Sequence, residues 1–231
     1  MEDRPLLGIP VLRPEEPLER LVRSVDGEAR LLIVDNSEGA IDFDYLPDDA
    51  WVTQPYANLG VAASWNEIMR SALLTDPYVL IANADTELSP GDIRYLVEEM
   101  EKGNPRWVGI AGDWRLMGLT AECVEQVGWY DPSFHPIYLE DCDYEHRCNV
   151  AGVPHYNHFR TGSMHGSGLS WKGSALEAEN TRTYPQNAAH YKRKWGGGWR
   201  GGETFDTPFD SGTPDKCGPD LSRLREQSWR L

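Results

Sequence analysis

The run Tyr78-Val79-Leu80-Ile81-Ala82 is an unbroken apolar segment, and Asn83-Ala84-Asp85 follows it and brings a carboxylate to its end. A second run, Leu31-Leu32-Ile33-Val34, ends in the same way at Asp35-Asn36-Ser37. Continuous apolar runs bounded by turn residues are typical of strands that are covered on both faces, as in a parallel sheet. Both aspartates therefore stand where strands of such a sheet would end, and ligands of open α/β sheets bind at those ends.

Helical and extended patterns alternate along most of the chain. Strands are predicted over 6–12, 31–34, 51–53, 78–82 and 107–111, and helices over 18–25, 61–73, 89–103, 120–127 and 141–151. This alternation predicts an α/β domain with a largely parallel sheet. We place that domain at residues 1–197, because the glycine-rich stretch that begins at Gly196 changes the character of the chain. Residues 198–231 are predicted to form an irregular Gly/Pro-rich tail that packs on the domain.

Charge and composition exclude some classes of partner. The 231 residues include 22 basic and 37 acidic side chains, for a net charge of −15, and 40% of them are hydrophobic. A surface this acidic argues against binding to nucleic acid or anionic membranes, which requires a basic face. Four cysteines without a CxxC pair favour a reduced, cytoplasmic protein. No apolar run approaches the ~18 residues of a membrane span.

An acidic pair, Glu140-Asp141, opens the predicted helix over 141–151. The amide groups and the dipole of a helix N-terminus favour an ionised carboxylate there. Such a carboxylate can accept the proton of an attacking hydroxyl, although Asp141 could equally be a simple helix cap. Farther along, Asp143 and Arg147 stand four residues apart and could form a surface ion pair.

Two residues are candidates for a divalent metal site. Asp85 offers a hard oxygen ligand at a strand end, where Mg²⁺ or Mn²⁺ on a nucleotide diphosphate usually takes one or two carboxylates. His165, in a glycine-rich loop, offers an imidazole that could bind Mn²⁺. Each has a plainer interpretation, since Asp85 could merely begin a turn and His165 could be solvent-exposed.

The stretch from Asn58 to Asn66 places small residues at the start of a predicted helix. Small residues allow a ligand to approach the backbone, or allow a helix to pack tightly on a sheet. A Walker loop, a GxGxxG motif after the first strand and a GxSxG motif are all missing from the sequence, which weakens P-loop, dinucleotide-binding and α/β-hydrolase alternatives.

Taken in order, these segments resemble the GT-A glycosyltransferases of the large inverting family 2. The matching segments are Ile9-Pro10-Val11, Val34-Asp35-Asn36-Ser37, Asn58-Leu59-Gly60 through Asn66, Asn83-Ala84-Asp85, Val127–Asp131, Tyr138–Asp143, Arg147, Ala151-Gly152, His165-Gly166-Ser167 and Lys194-Trp195-Gly196. Asn83 replaces the first aspartate of the D-x-D metal motif. The resemblance covers residues 6–197 and is nearest to small bacterial or phage members of the rhamnosyl- or galactofuranosyltransferase type.

The resemblance implies a GT-A, Rossmann-like three-layer sandwich around a mostly parallel mixed sheet. It implies metal-dependent inverting transfer of a sugar from a nucleotide-diphosphate sugar to an acceptor hydroxyl. In this interpretation Asp141 and Glu140 are catalytic, and Asp85 and His165 hold Mn²⁺ or Mg²⁺. The residues that would hold the nucleotide-sugar are Pro10, Val11, Asp35, Asn36, Asn58, Gly60, Asn66, Asn83, Ala84 and Asp85.

Several alternatives stay open from the sequence. The preferred acceptor is a glycan or a protein, and a modified DNA base is disfavoured by the negative charge. A catalytically degenerate GT-A module that only binds nucleotide-sugars is a second possibility. A nucleotidyltransferase of similar architecture is a third, although Pro10-Val11-Leu12-Arg13-Pro14 lacks the glycines of its basic loop.

Overall fold

The computed structural model describes residues 4–13, 16–110, 114–158, 164–165 and 175–228. Its strands are β1 (Leu6–Val11), β2 (Arg30–Asp35), β3 (Trp51–Thr53), β4 (Tyr78–Ala82), β5 (Thr86–Glu87), β6 (Trp107–Ile110), β7 (Leu116–Thr120), β8 (His155–His158) and β9 (Met164–His165). Its helices are α1 (Glu16–Val25), α2 (Gly60–Leu73), α3 (Asp92–Met100), α4 (Ala121–Val127), α5 (Glu140–Ala151), α6 (Ala175–Trp195) and α7 (Leu221–Ser228).

Seven strands form one sheet in the order β3-β2-β1-β4-β7-β6-β8. Strand β7 runs antiparallel to both β4 and β6, and the other four neighbouring pairs are parallel. The predicted α/β class with a mostly parallel mixed sheet is thereby confirmed. Strands β5 and β9 form a separate antiparallel ribbon in which Thr86 lies opposite His165.

Side chains of the sheet alternate between two apolar cores. In β4, Val79 and Ile81 join the core under α2, α4 and α5, whereas Leu80 and Ala82 join the core under α1 and α3. Successive residues of a strand point to opposite faces, so an all-apolar strand is buried on both sides. Helices therefore cover both faces of the sheet and give a three-layer sandwich.

The longest helix, α6, was not predicted from the sequence. Its described buried residues are spaced as on one helix face. Four of them are polar, namely Asn180, Thr183, Asn187 and Lys194, and the other two are Tyr191 and Trp195. A search for apolar periodicity cannot detect such a face, and Pro185 inside the helix argues further against it. Strand β7 was likewise missed, between the predicted strand at 107–111 and the predicted helix at 120–127.

Residues after 198 make specific contacts with the domain. The indole Nε1 of Trp129 donates to the Pro219 carbonyl (2.6 Å), and the Trp129 backbone N–H donates to the Cys217 carbonyl (2.9 Å). Arg225 of α7 donates through Nε to the Leu73 carbonyl (2.7 Å). Buried Leu221 joins the core beneath α2 and α4, so α7 contributes to the same apolar layer. Among the described helices, none has the length and apolar character required to cross a bilayer.

Candidate active site

A cavity of about 570 Å³ lies at the carboxyl ends of β1, β2 and β4. Its lining residues are Pro10, Val11, Leu12, Arg13, Asn36, Asn58, Gly60, Val61, Ser64, Trp65, Asn83, Ala84, Asp85, Trp114, Arg115, Pro136, Ile137, Tyr138, Glu140, Asp141, Asn180 and Arg200. Its volume is in the range of small-molecule sites, and its position is where ligands bind in open α/β sheets.

Most of the residues that the sequence nominated line this cavity. They are Pro10, Val11, Asn36, Asn58, Gly60, Asn83, Ala84, Asp85, Glu140 and Asp141. These residues are separated by up to 131 positions along the chain, and the sheet topology brings them together. Asp35 and Asn66 are not among the lining residues, and the side chain of His165 lies outside the described part of the chain.

Asp85 sits in a tight turn between β4 and β5. The Asn83 backbone N–H donates to the Arg115 carbonyl (2.7 Å), and the Thr86 N–H donates to the Asn83 carbonyl (3.0 Å). The turn therefore fixes Asp85 at the end of β4 and at the start of the β5–β9 ribbon. Because Thr86 pairs with His165 in that ribbon, the backbone of His165 lies beside the residue that follows Asp85.

The acidic pair Glu140-Asp141 is delivered by an unusual turn. Tyr138 and Leu139, immediately before α5, both have positive φ angles, 84° and 74°. Non-glycine residues rarely adopt this conformation, and it persists only where surrounding contacts enforce it. Asn187 of α6 supplies such contacts, donating through Nδ2 to the carbonyls of Ile137 (2.9 Å) and Tyr138 (3.2 Å).

Burial shapes the acid–base behaviour of this pair. Glu140 is 4% exposed, and burial together with the neighbouring Asp141 carboxylate raises its pKa well above the ordinary value. Burial also raises the pKa of Asp141, against the opposing effects of the Cys142 N–H, which donates to Oδ1 (2.8 Å), and of the Arg200 charge. Both shifts follow from the poor solvation of a carboxylate in a low-dielectric site.

Two buried polar atoms in the cavity wall have no partner among the described residues. They are Oε2 of Glu140 and Nε1 of Trp65. Because buried polar groups are almost always hydrogen-bonded, an orphaned group in a cavity wall calls for an explanation. A bound molecule with both donor and acceptor groups would satisfy both atoms.

A second wall of the cavity is formed where β2 meets α2. Asn36 bridges these elements, donating through Nδ2 to Ser64 Oγ (2.9 Å) and accepting the Leu59 N–H at Oδ1 (2.9 Å). Asn58 accepts the Gly60 N–H (2.8 Å). Gly60 has a φ of +74°, and a Cβ there would lie 2.7 Å from the Pro136 carbonyl oxygen. The small residue is therefore required by close packing against the loop at Pro136.

Asp35 and Asn66 have partners within the protein. Asp35 is fully buried, and it accepts the Ser37 N–H (2.8 Å) and the Gln54 amide (3.0 Å). The amide of Asn66 exchanges two hydrogen bonds with the backbone of Tyr130, at 2.8 and 2.9 Å. Both residues therefore shape the loops around the cavity from behind its wall.

Sequence reasoning missed three arginines that line the cavity, Arg13, Arg115 and Arg200. Arg13 follows β1, Arg115 precedes β7, and Arg200 belongs to the glycine-rich stretch after α6. They share the cavity with the three carboxylates of Asp85, Glu140 and Asp141, in a chain of net charge −15. Arginine in a cleft suits phosphate and carboxylate groups in particular. The three arginines are far apart in sequence and lie on loops without a regular pattern, so no local motif identifies them.

A buried ionic cluster underlies the acidic pair. The ammonium of Lys194, 1% exposed, lies 2.7 Å from Asp131, 2.9 Å from Asp143 and 2.7 Å from Asp215. Asp143 also pairs with Arg147 at 3.0 Å. The two residues do pair, but the prediction that this pair lies on the surface is wrong, since the Asp143 and Arg147 side chains are 0% and 4% exposed.

Hydrogen bonds lock this cluster to the neighbouring backbone. Arg147 donates to the carbonyls of Val127 and Trp129, both at 2.8 Å, and Trp195 Nε1 donates to Asp143 (2.8 Å). Burial disfavours ionisation of Asp131, but His190 and Lys194 outweigh it and hold its pKa well below the ordinary range. The cluster thus joins α5, α6, the loop after α4 and the tail.

The donor set at the β4 end suits a hard divalent ion bound jointly with phosphates. Among the described side chains, no group of three or more His, Cys, Asp or Glu residues could hold a metal ion. A nucleotide site needs fewer protein ligands, because Mg²⁺ there keeps waters and phosphate oxygens and takes one or two carboxylates. Asp85 supplies one such carboxylate at the cavity wall.

Comparison with known proteins shows structural similarity only. No protein-family model and no curated protein matches the chain. A crystal structure of TarS from S. aureus matches with a TM-score of 0.53 at 10% identity, over 69% of this chain and 36% of that one. The chain thus spans about a third of that protein's length. At this identity the match shows a shared fold, which is the GT-A-like arrangement of sheet and helices described above.

Two further structures match at lower scores. Residues 1–349 of TarS give a TM-score of 0.49 at 10% identity, covering 70% of this chain and 59% of that one. A protein from Desulfovibrio desulfuricans G20, described as a nucleotide-diphospho-sugar transferase, gives 0.45 at 13% identity, covering 81% of this chain and 99% of that one. At such scores neither match supports an argument about activity.

Proposed function

We propose that this chain is an inverting glycosyltransferase of the family 2 type, which moves a sugar from a nucleotide-diphosphate sugar to a hydroxyl of a glycan or protein. The main support for this proposal is that one cavity at the carboxyl ends of β1, β2 and β4 is lined by Asp85, the pair Glu140-Asp141 and three arginines. A cation-lined site beside a buried carboxylate pair suits an anionic donor and a proton-accepting base.

The donor would lie along the strand ends. Asn36 and Asn58 border the part of the cavity next to β1 and β2, where polar backbone and amide groups are available to a nucleoside. Arg115 lies beside the Asp85 turn, and Arg13 follows β1, so both are placed to meet a diphosphate. Asp35 and Asn66 would act indirectly, by holding the loops that carry these residues.

Asp85 and His165 are the residues that would hold a divalent ion, which when bound would offset negative charge on the departing diphosphate. The fit rests on the hard oxygen of Asp85 at the cavity wall and on the β5–β9 pairing that brings the His165 backbone to the adjacent residue. Mn²⁺ suits a mixed carboxylate and imidazole set, and Mg²⁺ prefers oxygen ligands.

The chemical step would be a single displacement. The acceptor oxygen forms a bond to the anomeric carbon while the bond from that carbon to the diphosphate oxygen breaks, and the electron pair leaves with the nucleoside diphosphate. The acceptor proton passes to the Asp141 carboxylate. A raised pKa makes Asp141 a stronger base than an exposed aspartate. Glu140, whose pKa is raised by burial and by the Asp141 charge, is proposed to donate a hydrogen bond from its protonated form to a substrate oxygen.

Product analysis tests this proposal. The wild-type chain, incubated with nucleotide-sugars and a mixture of glycans, is expected to release nucleoside diphosphate. Asp141→Asn should lower the rate by about 10²–10⁴-fold, since that is the usual contribution of a general base, while donor affinity stays nearly unchanged. Release of pyrophosphate would indicate nucleotidyl transfer instead. Substantial turnover by Asp141→Asn would remove Asp141 from the role of base.

A further inference from the structure

The segment from Gly196 to Glu203, here called the strap, follows α6 and brings Arg200 to the cavity. Gly197 is required by close contact, because a Cβ there would lie 1.7 Å from the Gly202 carbonyl oxygen. The strap is anchored on both sides, because the N–H groups of Thr204 and Phe205 both donate to the Trp195 carbonyl, at 2.9 and 3.1 Å. It is therefore a built loop with a defined path.

Arg200 is held in a costly backbone conformation within this loop. Its φ is +60°, and the Glu203 carboxylate accepts the N–H groups of Arg200 (2.8 Å) and Gly201 (2.7 Å). The hydroxyl of Tyr191 donates to the same carboxylate (2.5 Å) and so ties the loop to α6. A non-glycine residue kept at positive φ by such contacts is characteristic of functional positions.

The guanidinium of Arg200 lies on the Asp141 side of the cavity. Its positive charge is among the causes that lower the pKa of Asp141, and its Nε lies 3.7 Å from Glu145, the neighbour of Asp141 on the next turn of α5. The side chain remains 64% exposed, so the guanidinium can exchange this long ion pair for a ligand. Arg13 and Arg115 lie at the strand ends, where the proposed donor binds, which leaves Arg200 for the acceptor.

Aromatic rings continue from this part of the cavity towards the surface. Tyr138 lines the cavity, and its ring centroid lies 5.7 Å from that of Tyr184. The Tyr184 centroid in turn lies 6.2 Å from that of Trp199 in the strap. Trp199 is 40% exposed, although large aromatic side chains are usually buried. A row of partly exposed rings offers flat apolar surfaces with polar edges, which suit the alternating apolar and hydroxyl faces of sugar rings.

We propose that the strap and this aromatic row form an acceptor subsite for an acidic oligosaccharide, with Arg200 binding a carboxylate or phosphate near the attacked hydroxyl. This inference rests on the proposed glycosyl transfer and specifies its acceptor. Arg200 is the specificity-determining residue, since its guanidinium can bind a planar carboxylate or a phosphate through two N–H groups. The chain's net negative charge makes such a local cation necessary for an acidic acceptor.

The test is binding of the wild-type chain to an array of neutral, uronate-bearing and phosphate-bearing oligosaccharides in the presence of a nucleoside diphosphate. Calorimetry then compares the strongest acidic binder with wild type, Arg200→Ala, Arg200→Lys and the control Arg193→Ala, an exposed arginine of α6. We expect Arg200→Ala to weaken binding about tenfold or more, as for the loss of a charge-assisted hydrogen bond. Arg200→Lys should restore part of it, and Arg193→Ala should bind like wild type.

The outcomes separate this inference from the proposed function. Binding confined to neutral glycans, binding to none, or an unchanged affinity in Arg200→Ala would overturn the acidic subsite. In each of those cases the binding of nucleoside diphosphate, measured in the same samples, would still support the proposed transferase. Loss of nucleotide binding in the wild type would contradict the proposed function itself. The uronate and phosphate arms identify which anion Arg200 binds.

Discussion

At the scale of single residues, the chemistry of the candidate site depends on two adjacent carboxyl groups with different surroundings. Glu140 is 4% exposed and its Oε2 has no partner among the described residues, whereas Asp141 is half-buried and accepts the Cys142 N–H. Both pKa values are raised, but only Asp141 has nearby positive charge from Arg200 to offset part of the shift. This difference supports the proposed roles, with Asp141 as the base and Glu140 as a hydrogen-bond donor.

Glu140→Gln should stabilise the protein at neutral pH. The folded pKa of Glu140 lies above its unfolded value of about 4.3, so folding loses stability as pH rises above that value and up to the folded pKa. Each pH unit in that interval costs about 1.4 kcal/mol, which the amide avoids. Thermal unfolding in EDTA at pH 4 and pH 7 measures this.

The unfolding temperature of Glu140→Gln should be higher than that of wild type at pH 7 and equal to it at pH 4. Glu98→Gln, an exposed position of α3, serves as the control with no difference at either pH. Equal or lower stability of Glu140→Gln at pH 7 would mean that Glu140 is ionised and paired in the folded protein.

The pH dependence of sugar transfer should reflect Asp141. Transfer requires the ionised base, and burial raises the pKa of Asp141, so activity should fall at a higher pH than the value of about 3.9 for an ordinary aspartate. Arg200→Ala removes a charge that lowers this pKa and should move the acidic limb of kcat to still higher pH. An acidic limb that does not move in Arg200→Ala would show that the guanidinium lies too far away to affect the base.

At the scale of elements, α6 organises the site although, of its described side chains, Asn180 alone lines the cavity. Asn187 holds the turn before α5 in its positive-φ conformation, and Lys194 binds three aspartates from three other segments. The helix thereby fixes where Glu140 and Asp141 lie. Its polar buried face also explains why apolar periodicity failed to predict it, whereas β1, β2, β4 and β6 were predicted because each contains a continuous run of apolar residues.

Lys194→Met should destabilise the fold strongly. The substitution keeps most of the side-chain volume but leaves Asp131, Asp143 and Asp215 without their shared cation, and breaking a buried ion pair typically costs about 3–5 kcal/mol. Denaturant unfolding measures the change in the free energy of unfolding. Lys192→Met, an exposed position on the same helix, is the control. A loss below about 1 kcal/mol would show that the cluster is not a structural anchor.

At the scale of the whole molecule, the sheet topology assembles the cavity from distant segments. Polar residues that directly follow apolar strands, such as Asn36 and Asp85, could be predicted as site residues because strand ends meet at one edge of the sheet. Arg13, Arg115 and Arg200 could not, since their convergence depends on loop paths that no local pattern encodes. Asp35 was placed at the correct edge, but its carboxylate accepts hydrogen bonds from Ser37, in the loop after β2, and from Gln54, which follows β3.

In the proposed function, this cavity binds a nucleotide-sugar through Asp85 and a divalent ion. The most direct measurement is a thermal-shift panel of UDP-, GDP-, dTDP- and CMP-sugars, each with Mn²⁺, Mg²⁺ or EDTA, on wild type, Asp85→Ala and the exposed control Asp48→Ala. We predict stabilisation of about 2.7 kcal/mol at a hundredfold excess over Kd for one nucleotide class. The shift should need the metal, disappear in Asp85→Ala and persist in Asp48→Ala. If no donor shifts the unfolding temperature of the wild type, or if Asp85→Ala shows an equal shift, the cavity does not bind a nucleotide-sugar through Asp85 and a metal ion.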